Sequence, residues 1–291
     1  MVNRFFNKLV IILTAFYSKL PLKPFRGVLR KLYDLYIKYE TASGNRTVVA
    51  RIRGITYELD LTEAIDRSIY YRGCFEPMTT AIISKYVKPG MTVFDIGANI
   101  GCHTLPCTKL VGRNGKVIAF EPMPWAASRL KRNIDLNNFN NIILEKFALS
   151  EVSAKRSVYF RSSWTLDGTL DGISALDSEG SRDVDFVTLD EYVERNNISK
   201  IDFIKLDVDG YEYKVIRGGV NSIAKFKPVM IIEFGKYTLR EYGDSLEDLI
   251  DLLASIGYSF YSEKDLRQYT TKQSLLDAVP QRSTINVVCK T

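Results

Sequence analysis

Histidine and cysteine are scarce in this sequence. One histidine, His103, and four cysteines, Cys74, Cys102, Cys107 and Cys289, serve 291 residues. No CxxC pair occurs, so a zinc site would have to join His103 to scattered thiols. The cysteines do not form a disulfide framework for so long a chain, which points to a reducing, cytoplasmic compartment. A Ser/His/Asp triad would also depend on His103, and no GxSxG elbow accompanies it. No metal site is assigned; a metal, if used, would sit on carboxylates and be Mg²⁺ or Ca²⁺. Internal repeats are absent. A hydrophobic share of 46% and a mean hydropathy of −0.08 exclude disordered and fibrous chains and suit one large domain or two small ones.

Charge is nearly balanced, with 40 basic and 34 acidic residues. The excess is local. Residues 1–40 hold eight basic residues (Arg4, Lys8, Lys19, Lys23, Arg26, Arg30, Lys31 and Lys38) against Asp34 and Glu40. The other 251 residues carry 32 of each sign, so nothing in them calls for nucleic acid. Within the basic lead, the run LVIILTAFY (9–17) falls short of the ~20 residues of a membrane span. Ser18 to Pro21 make a poor cleavage site. As a helix, Phe5, Leu9, Ile12, Leu13, Phe16 and Leu20 share a face flanked by Lys8 and Lys19. Two readings stand: an interfacial helix on anionic lipid at the inner face of a membrane, or a helix packed on the domain or on a partner subunit. Oligomeric state is not legible.

Residues 41–291 read as the catalytic domain. TVVARIR (47–53) and ITYELDL (55–61) alternate around Gly54 as a hairpin, and Pro77 opens a helix through Tyr86 that ends at Pro89-Gly90. Residues 41–90 thus precede the core. Strands and helices then alternate: strand 92–96, a glycine turn, a helix from near Ile100 to Val111, strand 116–120, helix 125–138 and strand 142–148. After an interruption come strand 201–206, helix 212–217, strand 229–234, helix 245–256 and strands 258–262 and 285–289. The runs TVFDI, KVIAF and VMIIEF are continuously apolar, as in a parallel sheet covered on both faces. The expected fold is α/β, doubly wound and mostly parallel. The interruption, 151–188, reads as an inserted hairpin region.

The strongest motif is VFDIGANIG (93–101). A strand ends at Asp95, and Gly97 and Gly101 suit close backbone approach at a helix start. The spacing is not GxGxxG, and Asp95 would repel a pyrophosphate but welcome a cation. The next strand ends at Glu121-Pro122. Glu121 stands twenty residues after Gly101, where an acid accepts hydrogen bonds from both ribose hydroxyls. An adenosine ligand with a positive group and no pyrophosphate is called for, and S-adenosylmethionine is that ligand.

These residues resemble the FkbM-type methyltransferases of the class I S-adenosylmethionine-dependent fold. VFDIGANIGCHTL (93–105), VIAFEPMPWAASRLKRNIDLNN (117–138), LDEYVERNNISKIDFIKLDVDGYEYKVIRGG (189–219) and PVMIIEF (228–234) carry the likeness, over roughly residues 75–235. The resemblance implies a seven-stranded sheet with its last strand antiparallel. It implies that Asp95, Gly97, Ala98, Asn99 and Gly101 line the methionine end of the cofactor, and that Glu121 with Pro122 holds the ribose. Phe147 or Ala148 would border the adenine, and Asp207 would face the reactive centre.

Methyl transfer is an in-line displacement, so the protein aligns a nucleophile and removes its proton. Candidate bases at the carboxyl edge are Asp207, Glu212, Glu233 and His103, with Asp209-Gly210 read as a turn or a further acid. Asp207 and Glu233 end adjacent strands and could share a cation. Tyr70, Tyr71 and Glu76 are candidates for a lid, or for surface groups packed on the sheet. The expected reaction is O-methylation of a hydroxyl or carboxyl on a sugar, glycan or small metabolite, an acceptor class that rests on family analogy. An NAD-type oxidoreductase and a non-catalytic S-adenosylmethionine-binding module are the alternatives.

Overall fold

The computed structural model describes residues 47–160 and 180–291. The amphipathic segment 1–40 and residues 161–179 of the insertion lie outside them. The chain divides into two compact units, the first reaching Phe75 and the second opening at Glu76.

In the first unit, β1 (Thr47–Ile52) and β2 (Ile55–Asp60) pair antiparallel. Arg53 and Gly54 turn the chain at φ 49° and 79°, the two positive values that a tight hairpin turn requires. The helix α1 (Ala64–Arg72) follows and stops at Gly73, φ 81°. It has no counterpart in the sequence reading. Asp66 holds its start by accepting from the Asp60 N–H at 2.6 Å.

The second unit opens with α2 (Pro77–Tyr86). Then β3 (Thr92–Ile96), α3 (Thr104–Val111), β4 (Lys116–Phe120), α4 (Pro124–Asp135) and β5 (Ile142–Glu145) alternate. A small sheet comprises β6 (Ala148–Leu149), β7 (Ala154–Phe160) and β8 (Gly180–Val187), in the order β6-β8-β7. After α5 (Leu189–Arg195) come β9 (Phe203–Leu206), α6 (Glu212–Arg217), α7 (Val220–Phe226) and β10 (Val229–Gly235). The chain closes with α8 (Lys236–Glu241), α9 (Leu246–Ser255), β11 (Ser259–Ser262), α10 (Lys272–Ala278) and β12 (Thr284–Lys290).

Seven strands form the main sheet, in the order β11-β12-β10-β9-β3-β4-β5. β12 runs antiparallel to both its neighbours, and the pairs β10–β9, β9–β3, β3–β4 and β4–β5 are parallel. This is the expected doubly wound sheet with one reversed strand. Apolar residues alternate between its faces. Phe94, Ile96, Ile118, Ile204, Leu206 and Ile232 pack with α5, α6, α7 and α9. Val93, Val117, Phe203 and Ile231 pack with Ile82 and Ile83 of α2 and Cys107 and Val111 of α3.

That alternation positions the site. On the α2–α3 face, each central strand begins apolar and ends charged: Val93 then Asp95, Phe203 then Lys205, Ile231 then Glu233. The parallel register sets Asp95 beside Lys205, and Leu206 beside Ile232. The charged ends therefore form one cluster at the carboxyl edge, where open α/β sheets bind ligands.

Several boundaries differ from the sequence reading. The strand expected over 142–148 ends at Glu145, and Ala148 pairs with Phe186 of β8 in the small sheet. The inserted hairpin forms as β7 against β8. All four cysteines are free thiols. Among the described residues no helix is long and apolar enough to cross a membrane.

Candidate active site

The loop after β3 is built by its own hydrogen bonds. Gly97 and Ala98 both donate backbone N–H to the Phe120 carbonyl, at 3.1 and 3.0 Å, and Gly101 donates to Ala98 at 2.9 Å. Asn99 adopts φ 49° and gives its N–H to Glu121 Oε2 at 2.8 Å. Four loop N–H groups are thus committed within the protein, which leaves a poor cradle for a pyrophosphate. The helix begins at Thr104, four residues later than expected near Ile100.

The two glycines have reasons of their own. A Cβ on Gly97 would lie 1.9 Å from the Asp207 carbonyl oxygen, and one on Gly101 would lie 2.5 Å from Leu130 Cδ1. What approaches these positions is β9's end and α4, where the motif alone suggests a ligand.

Asp95 is buried, and its Oδ2 accepts from the Thr104 hydroxyl at 2.5 Å. Its Oδ1, and Oδ1 of Asn99, have no hydrogen-bond partner among the described residues. Glu121 is anchored twice, since Oε1 also accepts from the Met123 N–H at 2.8 Å. Each of its oxygens keeps a lone pair for a further donor. Burial raises its carboxyl, and the two backbone bonds with Lys205 pull it part of the way back. Pro122 follows Glu121 and is partly buried. Phe147 turns inward: its ring lies 5.8 Å from both Phe120 and Tyr192.

Lys205 is the residue that sequence reasoning missed. It is 4% exposed, in the middle of the apolar strand β9. Its ammonium lies 3.1 Å from Asp207 Oδ2 and donates to the Gly97 carbonyl at 3.3 Å. Burial alone would lower its pKa, but Asp207 and Asp95 carry it above the usual lysine value. A lysine inside IDFIKLDVD was the available signal, because a charge on a strand covered on both faces requires buried partners.

The four candidate bases fall into different situations. His103 is the N-cap of α3 and lies outside the helix body. Its Nε2 is 3.2 Å from Glu76 Oε2. Burial would lower its pKa, yet Cys102 and Glu76 raise it to about 10. At neutral pH the ring is then an imidazolium, a donor with no lone pair to accept a proton. Burial would likewise raise Glu76, and His103 and Lys205 turn the net shift downward. Tyr70 and Tyr71, grouped with Glu76 in the sequence reading, belong to the first unit, with rings 5.0 Å apart edge to face.

Glu212 holds the turn after β9: its Oε1 accepts from the N–H groups of Val208 at 2.9 Å and Gly210 at 3.2 Å. Glu233 accepts from the Thr284 hydroxyl at 2.7 Å. Asp207, Asp209 and Glu233 each present a carboxylate oxygen within 4.8 Å of the others, a spacing a divalent cation could bridge. Asp209, φ 52°, is therefore both a turn residue and a member of the acid cluster. Desolvation, then repulsion from Asp207, raises the carboxyls of Asp209 and Glu233.

Glu212 gives a testable pH dependence. Burial lifts its carboxyl from 4.5 to about 7 in the fold, against the backbone bonds that lower it. The folded state then binds this proton more tightly than the unfolded state. The associated stability is complete below about pH 4.5 and is lost as pH rises through about 7, roughly 3 kcal/mol in all. Glu212→Gln keeps an acceptor for both N–H groups and removes the titration. Between about pH 5 and 8, wild-type unfolding free energy should fall relative to the variant. Parallel curves would mean that Glu212 titrates normally.

Residues 95–260 match the methyltransferase FkbM domain, more than half the chain. The chain belongs to the FkbM methyltransferase family. The match extends beyond the resemblance read from the sequence, through α9 to β11. Hexuronic acid methyltransferase AglP of Haloferax volcanii is 26% identical over 198 residues, 67% of this chain and 78% of the relative. 2-O-methyltransferase NoeI of Sinorhizobium fredii is 26% identical over 187 residues, 60% of this chain and 75% of the relative. The crystal structure of methyltransferase FkbM from Methylobacillus flagellatus KT is 18% identical with a TM-score of 0.46. That likeness covers 76% of this methyltransferase and 49% of the other chain, so the protein spans about half of that structure.

Proposed function

We propose that this FkbM-family methyltransferase uses S-adenosylmethionine to methylate a hydroxyl of a sugar or glycan. The observation that carries the cofactor half is the pair of buried acceptors without partner, Asp95 Oδ1 and Asn99 Oδ1, at the carboxyl end of β3. They fit a ligand that brings an ammonium donor and positive charge. Glu121 fits the ribose, because two backbone bonds fix it while a lone pair on each oxygen stays available. Phe147 and Ala148 lie at the adenine end in this reading. The acceptor half draws on AglP and NoeI, a hexuronic acid methyltransferase and a 2-O-methyltransferase by name.

When bound, the cofactor supplies a methyl group already activated on a sulfonium. The chain's residues then have to orient the acceptor and take its proton. Asp207 is the favoured acceptor of that proton, with Lys205 fixing its carboxylate at 3.1 Å and Glu233 across from it on β10. Glu212 holds the turn that carries Asp207 and Asp209. His103, paired with Glu76, is a donor in this scheme. The basic lead, residues 1–40, is read as a contact with an anionic membrane face on its sequence alone.

Calorimetric titration with S-adenosylmethionine tests the cofactor half. Wild type should bind, and Asp95→Asn, which keeps an acceptor for Thr104 but loses the charge, should weaken Kd by about tenfold to a hundredfold. Equal affinity in the two proteins would remove Asp95 from the site.

A further inference from the structure

Glu76 stands in a backbone conformation that its sequence disfavours. Its φ is 43° and its ψ 79°, in the left-handed region, and Pro77 follows it. A residue before proline is pushed toward extended backbone, and a glutamate has no preference for positive φ. Such a conformation persists only where the surroundings impose it. They act here on both backbone and side chain. The Glu76 carbonyl accepts from the Thr80 N–H at 2.9 Å, and the carboxylate Oε2 lies 3.2 Å from His103 Nε2. The first turn of α2 is tied down further. The Thr79 hydroxyl donates to Glu263 Oε1 at 2.5 Å and accepts from Asn286 Nδ2 at 3.1 Å.

The strained contact sets a charge balance. His103 is 1% exposed and caps α3, where the helix dipole opposes a cation. The titratable groups that face the ring are Glu76 from α2, Cys102 beside it in the loop, Lys205 from β9 and Glu263 after β11. Cys102 and Glu76 favour the charged ring, and Lys205 opposes it. Lys205 in turn feels Asp207, Asp95 and Glu76. The two cations are matched separately, Lys205 by Asp207 at 3.1 Å and His103 by Glu76 at 3.2 Å. Asp95 is the acid left over. Its Oδ2 takes a neutral hydroxyl, and its Oδ1 has no hydrogen-bond partner among the described residues.

We propose that Glu76 is a positioning residue for the cofactor: it engages the His103 ring, so that the charge of Asp95 stays available to the positive end of S-adenosylmethionine. The inference rests on the S-adenosylmethionine reading above and carries it to a residue outside the DIGANIG loop. With Glu76 made neutral, the ring's charge turns on the same acid and repels the sulfonium and ammonium of the ligand. The effect is electrostatic, so it acts on a charged ligand and spares an uncharged one.

Calorimetric titration of the full chain with two ligands tests this. One is S-adenosylmethionine. The other is 5′-methylthioadenosine, which keeps the adenine and ribose and lacks the sulfonium and the charged amino-acid end. At about pH 6, Glu76→Gln should weaken Kd for S-adenosylmethionine about tenfold and leave that for 5′-methylthioadenosine within about twofold of wild type. The deficit should shrink as pH rises toward about 8, because the ring without Glu76 releases its proton at a lower pH than in wild type. Glu76→Gln combined with His103→Gln removes the charge itself and should restore S-adenosylmethionine binding to within about twofold. Equal loss for both ligands would make Glu76 a structural support and overturn the inference. So would a Glu76→Gln protein that matches wild type at pH 6, a deficit that does not change with pH, or a double variant as weak as the single one. In each of these cases wild type still binds S-adenosylmethionine and the cofactor reading stands. Wild type that does not bind S-adenosylmethionine removes that reading, and this inference with it.

Discussion

Gly97→Ala should cost the protein more than about 4 kcal/mol, enough to leave little folded material at room temperature. The new Cβ would stand 1.9 Å from the Asp207 carbonyl oxygen and 3.0 Å from its carbon. Both partners are backbone, one at the end of β3 and the other at the end of β9, so neither can swing aside. Gly97 also has φ +83°, where a side chain adds about 1 kcal/mol or more of strain. Gly90 separates the two effects. It has the same φ of +83°, and a Cβ there would meet nothing within 4 Å. Gly90→Ala should therefore cost only about 1 kcal/mol. Urea unfolding of both variants reads the difference directly. If their midpoints fall together, the contact between Gly97 and Asp207 is looser than described.

Lys205→Met should remove most of the activity and a large part of the stability. The substitution keeps much of the length of the side chain and deletes the ammonium that faces Asp207 at 3.1 Å and the Gly97 carbonyl at 3.3 Å. Asp95, Asp207 and Glu76 lose the positive charge they share. Breaking one partner from a buried pair costs about 3–5 kcal/mol, because a charge is left without compensation. Turnover should fall by about a hundredfold or more, since Asp207 would lose the ammonium that holds its carboxylate in place. A double variant distinguishes positioning from general damage. Lys205→Met with Asp207→Asn should recover part of the stability, because the nearest of the orphaned charges is gone, yet remain inactive. A Lys205→Met protein with full turnover would contradict the assignment of Lys205 as the residue that positions Asp207.

What the sequence disclosed about this site follows from which signals are local. Asp95, the DIGANIG loop and Glu121 are read from strand ends and spacing, and the sheet brings them to one edge. The covalent neighbourhood also predicts α6 at Glu212–Arg217 and places α9 within 245–256, where Ser245 caps it by accepting from the Asp248 N–H. Other features depend on contacts far along the chain. Lys205 is an anomaly until Asp95 is seen beside it on β3. Ala148 belongs to the small sheet because Phe186 lies opposite it, and periodicity does not say which sheet a strand joins. The helices α1, α5, α7, α8 and α10 have six to nine residues. Segments so short are stabilised mainly by tertiary packing, which leaves a weak local pattern. The reason for Gly97 was legible only in part: its need for a positive φ fits the motif, but the atom it makes room for belongs to residue 207.

The charge balance has a similar division. A neutral body with a basic lead was visible in the composition. The dense acidic cluster around one buried lysine was not, because overall neutrality hides a local field. That field is the basis for expecting a ligand with a positive group, S-adenosylmethionine, beside Asp95.

The most direct measurement follows methyl groups labelled with ¹⁴C from S-adenosylmethionine into carbohydrate. The full chain is incubated with the labelled cofactor and a mixture of glycans, and the products are split by mild base, which cleaves methyl esters and spares methyl ethers. The account predicts S-adenosylhomocysteine and base-stable label on sugar in equal amounts. Consumption of the cofactor with no label on sugar, or label lost to mild base, would contradict it.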